Sequence, residues 1–229
     1  MKQLIICVLF LAAFCICPAQ KVINQQPVLN KLEDFFQFEN VEQLTSYFGT
    51  KNVFTESVYY SDPNEGGKSN LVSEVNFGTP RAVLLIWNSE GTKMLEVRTN
   101  IYFYDFDSKK TELIPNKWKT KQGIFAGMHL SQLVAINWWP LSFNVQHETG
   151  DSIHGDLLIN SGWIRKEIKV PFSIPRLIYN YTLDLRQLNV FFPQLSTSTL
   201  KSNNKMVRKW NPLLEMVTIY REDLRPENK

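Results

Sequence analysis

All three cysteines of this 229-residue chain, Cys7, Cys15 and Cys17, fall in its first 17 residues. Residues 18–229 hold no thiol, so no disulfide, thiolate metal site or cysteine nucleophile can be built from them. Whatever they fold into must be held by an apolar core and hydrogen bonds. A body of that size is large enough, since it buries roughly 70% of the surface its unfolded chain exposes.

The first residues have the three parts of an export signal. Met1 and Lys2 form a basic start, Leu4 to Ile16 is an unbroken apolar run, and Cys17 and Ala19 are small residues before Gln20. The run is short for a hydrocarbon core that needs about 20 residues to cross. The expectation is a signal over 1–19, cut between Ala19 and Gln20, and one globular domain over 20–229. A retained anchor and a lipid-anchored form are the alternatives. Against the latter, Phe14 and Ile16 precede Cys15 and Cys17, where a lipid-attachment site has a small residue. The predicted location is exported, periplasmic or secreted.

Removing Lys2 lowers the formal charge from +3 to +2. That balance gives no electrostatic reason to expect nucleic acid as a partner. No later segment approaches 18 consecutive apolar residues, so no membrane span is expected after the signal.

The remainder reads as α+β, an antiparallel sheet with a few packed helices. Asn40 caps a helix whose Val41, Leu44, Tyr47 and Phe48 share one face, with Gln43 as a capping-box partner and Gly49 as its stop. Strands are predicted over Val53–Tyr60, Leu71–Phe77, Ala82–Trp87 and Met94–Tyr104, with turns at Asn64–Gly67 and Asn88–Gly91. A second helix is expected to begin near Gly123 and carries Leu130, Leu133, Val134 and Ile136, followed by strands over Leu157–Asn160, Ile164–Phe172 and Leu177–Leu185. Asn189–Leu195 is a short apolar piece, Ser202–Trp210 a short helix stopped by Asn211-Pro212, and Leu213–Tyr220 a last strand. Val41-Glu42-Gln43-Leu44 and Leu130-Ser131-Gln132-Leu133 share one order of residue types. Tandem half-repeats over 33–110 and 118–220, or two unrelated halves, both fit that pattern.

Four blocks carry a resemblance. Trp118 to Asn137 resembles a segment of an uncharacterised family of exported Bacteroidota proteins, which reads W-x-T-x-x-G-I-x-x-G-M-S-L-x-x-L-x-x-x-N-G-x-P-F. Tyr47 to Val53, Leu84 to Trp87 and Ser202 to Pro212 resemble three further blocks of that family. More distantly, the motif is similar to one in the two-layer folds of the assembly lipoprotein BamE and the β-lactamase inhibitor protein. This resemblance implies an envelope location and favours binding over catalysis. Where the family has Asn-Gly, this chain has Asn137-Trp138. Glycine tolerates positive φ and tryptophan does not, so either the turn differs or Trp138 sits in ordinary backbone space.

Candidate chemistry is sparse. His147, Glu148, Asp151, His154 and Asp156 crowd into ten residues with imidazole and carboxylate donors of the kind divalent metals use. The stretch contains Gly150 and Gly155 and reads first as a polar loop, with His147, Asp151 and His154 as the metal candidates. No cofactor is implied. No G-x-S-x-G elbow is present, and paired carboxylates for glycoside hydrolysis cannot be picked out of 22 acids. Adjacent Trp138 and Trp139 cannot share one face of a strand, and an exposed aromatic can hold a sugar or a protein partner. Lys201, Lys205, Arg208 and Lys209 read as a solvated helix face. Asp151-Ser152-Ile153 fits a short O-glycosylation pattern at Ser152. The leading expectation is a non-enzymatic envelope protein that binds a protein or a glycan. The alternatives are a hydrolase of an envelope or dietary polymer, and a structural envelope component.

Overall fold

Asn40 starts helix α1 (Val41–Phe48) in the computed structural model, which describes residues 27–60, 68–105, 110–147, 153–159, 162–164, 167–168, 177–192 and 199–221. The segment read as an export signal, with Ala19 and Gln20, lies outside the described residues, as do the turn at 64–67, Glu148, Asp151 and Ser152. The Asn40 side chain accepts from the Gln43 N–H at 2.8 Å. Gln43 reaches back one residue further than a capping box requires, to the Glu39 N–H at 2.8 Å. Gly49 closes the helix at φ 84, where a side chain would strain the backbone.

Ahead of α1, Leu32–Gln37 form a 3-10 turn that local patterning does not announce. Its anchor is tertiary. The buried Glu33 carboxylate accepts from the Tyr179 hydroxyl at 2.9 Å and from the Lys121 N–H at 2.7 Å.

Strands β1 (Val53–Tyr60), β2 (Lys68–Val75), β3 (Val83–Trp87) and β4 (Met94–Asn100) form an antiparallel meander. The strand expected over Met94–Tyr104 breaks in two. The Asn100 side chain accepts from the Tyr102 N–H at 2.8 Å, which takes that donor out of the ladder. Ile101 turns into the core at 1% exposure, and β5 (Tyr102–Asp105) leaves to pair with β6 (Lys110–Leu113).

Beyond them come α2 (Leu130–Asn137), β7 (Ser142–His147), β8 (Ile153–Leu158), β9 (Glu167–Ile168), β10 (Leu177–Asp184), α3 (Leu188–Phe191), β11 (Thr199–Lys201), α4 (Lys205–Trp210) and β12 (Leu214–Arg221). Among the described residues the main sheet runs β1-β2-β3-β4-β12-β10-β8-β7-β11, with β9 on the free flank of β10. Every pairing is antiparallel. Read inward, β1-β2-β3-β4 and β7-β8-β10-β12 each follow a helix and meet where β4 pairs β12.

One expectation is corrected here. The stretch around His147 and His154 is not a loop at both ends, because His147 closes β7 and His154 lies in β8. Phe143, fully buried, faces Leu157 and Leu200 across the neighbouring strands. Polar Asn144 and Gln146 between the apolar positions hide that alternation in the sequence.

Register sorts the two sheet faces. Thr55, Ser73, Leu85, Val97, Ile219 and Tyr179 are directly paired across six strands, and the last five are at most 1% exposed. They join Leu44 of α1, Leu133 of α2 and Val207 of α4 in one core. One residue away, Phe54, Glu74, Leu84, Arg98, Thr218 and Asn180 form the next row, which points to the other face. Ser73 survives in the apolar row because its hydroxyl is bonded to Thr55 Oγ1 at 2.8 Å and to Trp87 Nε1 at 3.1 Å.

The motif from Trp118 to Met128 is a run of turns that ties this architecture together, so the helix expected from near Gly123 starts only at Leu130. The Trp118 indole donates to Arg81 O at 3.0 Å, and Thr120 closes the loop through Ile124 and Gly123. Lys119 O accepts from Leu32 N–H at 3.0 Å. Gly127 N–H donates to Leu214 O, while Leu214 N–H donates to Met128 O, both at 2.7 Å. The motif's glycines therefore have structural duties: Gly123 at φ 81 and Gly127 at φ 101.

Candidate functional site

Helix α2 ends in a way its sequence disfavours. Trp138 is its C-cap, at φ 65 and ψ −4, in the left-handed region. The turn expected of an Asn-Gly pair is therefore made, with tryptophan in the glycine's place. For a residue with a side chain this conformation costs roughly 1–2 kcal/mol. Burial does not offset that, since Trp138 is 84% exposed and its neighbour Trp139 is 61% exposed.

The support for this corner is Asn137, which is fully buried. Its side-chain N–H donates to Trp139 O at 3.1 Å, and its Oδ1 accepts from the Ile164 N–H at 2.9 Å. Its main-chain oxygen accepts from the Trp163 N–H at 3.0 Å. Gly162, at φ 99, leaves room for this: a Cβ there would lie 2.3 Å from Asn137 Oδ1. The result brings Trp163, 68% exposed, beside the pair that the sequence singles out. Leu141 and Ile164 in the same two segments are turned inward, at 1% and 2% exposure, and the three indoles are left outside. Trp163 was missed because 24 residues of chain separate it from Trp139; the signal that marks it is Gly162 before it.

The sheet face away from the core carries a second feature. A groove of about 250 Å3 lies over Glu74, Leu84, Arg98 and Met216, rimmed by the β2–β3 turn (Phe77, Gly78, Thr79) and by Tyr102 and Ile114. Arg98 is paired with Glu96 at 2.6 Å. Beside it, Tyr102 donates its hydroxyl to Asp184 Oδ2, and the Arg186 guanidinium stacks 3.7 Å over the Tyr102 ring while donating to Asp184 Oδ1 at 3.2 Å. His154 is directly opposite Asp184 in the register, and its Nδ1 lies 2.6 Å from Glu215 Oε2.

The two carboxyls of this network are driven apart. Burial raises Glu215 above the usual carboxylate range, although His154 opposes it. Burial also pushes Asp184 up, but the Tyr102 hydroxyl and Arg186 outweigh it and hold Asp184 low. Burial, with Asp184 adding to it, raises the Tyr102 hydroxyl. None of Tyr102, Asp184, Arg186 and Glu215 stands out in the sequence, because a bulge in β12 and the break at Ile101 bring them together.

Of the metal candidates, His154 is joined to Glu215, the His147 backbone lies in β7, and Asp151 is outside the described residues. Among the described residues no three His, Cys, Asp or Glu side chains gather as a metal site. Lys201, Lys205, Arg208 and Lys209 are all exposed on and just before α4. No described helix is long and apolar enough to cross a membrane. No family model, no curated protein and no solved structure matches this chain.

Proposed function

We propose that this is an exported, non-enzymatic binding protein of the bacterial envelope that holds a glycan on Trp138, Trp139 and Trp163. The observation that carries this reading is Trp138, a strained left-handed tryptophan with 84% of its surface in water. Backbone strain of this kind concentrates where function requires it. The indole faces are electron-rich and attract the polarised C–H groups of a sugar ring.

Affinity electrophoresis in gels cast with soluble polysaccharides tests this. At least one polysaccharide is expected to retard the protein, and Trp139→Ala with Trp163→Ala to abolish the retardation. Trp138→Gly is the sharper variant. It relieves the left-handed strain and is expected to raise stability by about 1 kcal/mol while weakening glycan binding. A destabilised Trp138→Gly protein, or one that binds as tightly as the parent, overturns the reading.

A second reading, hydrolysis of a polymer, is favoured by one observation. Glu215 is raised and Asp184 is lowered on adjoining strands, as an acid that keeps its proton and a charged partner require. Release of new reducing ends from a polysaccharide, lost in Glu215→Gln by about 10²-fold or more, would support it. No release, or unchanged release in that variant, removes it.

A further inference from the structure

The groove on the sheet face opposite the core contains an acid, Glu74, with no partner among the described residues. Glu74 lies in β2, directly paired with Phe54 on one side and Leu84 on the other. Among the described residues no hydrogen bond or ion pair reaches its carboxylate. The nearest cation on its row is Arg98, two strands away, and Arg98 turns its guanidinium to Glu96 instead, with Nε at 2.7 Å. Burial first, and the neighbouring Glu56 carboxylate second, raise Glu74 above the usual carboxylate range. A half-buried carboxylate beside Leu84, with no partner among the described residues, is destabilised in its charged form.

We propose that this groove takes a lysine or arginine side chain of a partner protein, its cationic end beside Glu74 and its alkyl stem over Leu84. Charge complementarity selects the occupant. The groove's own cation is already paired with Glu96, so among the described lining residues the uncompensated charge is that of Glu74. The apolar floor suits a methylene stem, as long basic side chains bury the stem and leave the charge at the end. Phe54 and Phe77, 59% and 50% exposed at the rim, offer the aromatic contact area that protein interfaces favour. The site shares no residue with the tryptophan platform and stands independently of the glycan reading.

The probe is the blocked tripeptide Ac-Ala-Lys-Ala-NH2, titrated to millimolar concentration into the folded full chain and followed by amide chemical shifts. Ac-Ala-norleucine-Ala-NH2, with the same stem and no charge, is the control. The lysine peptide is expected to shift the amides of Ser73, Val75, Gly78 and Thr79, and the norleucine peptide to leave them in place. Glu74→Gln is expected to weaken the lysine response about tenfold, the effect of losing one charge-assisted pair. Trp139→Ala should leave the response unchanged, so the two proposals fail separately. Equal shifts from both peptides, no shift from the lysine peptide, or an undiminished response in Glu74→Gln overturns the assignment.

Folding of Glu74→Gln is a built-in control, because no described bond of Glu74 is lost. A carboxyl that holds its proton more tightly folded than unfolded lowers stability as pH rises through that interval. Relative to Glu74→Gln, the parent is therefore expected to lose stability as pH rises from about 4. The opposite trend would mean that Glu74 has a partner in the folded protein, and the groove would lose its unpaired acid.

Discussion

Gly127→Ala is expected to destabilise the protein by about 4 kcal/mol. Two effects add. Gly127 sits at φ 101, a region that side chains avoid, at a cost of about 1–3 kcal/mol. Its new Cβ would also lie 2.8 Å from Pro115 Cβ and 2.9 Å from Pro115 Cα. The second contact is with backbone, which cannot swing aside, and overpacking of this kind costs about 1–3 kcal/mol more. The neighbouring bonds leave little slack, because Gly127 and Met128 both bond to Leu214 at 2.7 Å. Gly123→Ala separates the two causes. It shares the positive φ, at 81, but its Cβ would meet nothing within 4 Å. Its loss should be about 1–2 kcal/mol, from conformation alone. Chemical denaturation of the two variants, compared at an unchanged m value, reads the difference directly. Equal losses would mean that the contact with Pro115 carries no weight.

Asn137→Ala is expected to cost about 3 kcal/mol and to abolish the tryptophan platform together with it. The side chain is fully buried and serves two backbone groups, the Trp139 carbonyl and the Ile164 N–H. Alanine leaves both in a dry site without a partner, and each such group costs about 1–3 kcal/mol. Asn137→Asp is the informative companion. It keeps the acceptor for Ile164 but removes the donor to Trp139, so the Trp138-Trp139 segment should loosen while the Gly162–Ile164 segment stays docked. Selective quenching of tryptophan fluorescence and the thermal midpoint measure these two consequences. If Asn137→Ala kept both its midpoint and its glycan retardation, the asparagine would not be what holds the platform.

The helices and most strands were legible because their signals are local. Asn40 with Gln43, and Gly49 and Asn211 at two helix ends, act within a few residues and are found at the expected ends, whereas the helix expected from Ser202 starts at Lys205 behind its cap Asn204. Strand β3 was legible from its unbroken apolar run. Strand β7 was not, because polar Asn144 and Gln146 break up the apolar pattern of its sequence. The strand break at Ile101 was equally hidden. It depends on Asn100 capturing the Tyr102 N–H and on Glu215 O receiving the Ile101 N–H from β12, more than 100 residues along the chain.

Of the candidate sites, the Trp138-Trp139 pair was visible as chemistry but not as geometry. Adjacency predicted that one of them is exposed, and both are. That Trp138 takes the glycine-like conformation followed from the Asn137 bonds to residues 163 and 164, which no local pattern contains. Of the crowd of acids and histidines from His147 on, Glu148 and Asp151 lie outside the described residues, and among the described residues no metal-type cluster forms. His154 instead meets Glu215, 61 residues away.

By itself, then, the sequence determined that residues 18–229 have no thiol chemistry, that the fold is α+β, and where a few elements such as α1, β1, β3, β10 and β12 lie. Those properties are written in composition, in side-chain periods and in caps that act over a single turn. Tertiary structure alone decided which face of each strand meets the core, that Glu74 has no partner among the described residues, and that the segments of three exposed tryptophans are tied to one buried asparagine. The physical reason is register. A shift of one residue in any strand pairing would exchange the buried and open rows, and with them every neighbour on which the groove and the network depend.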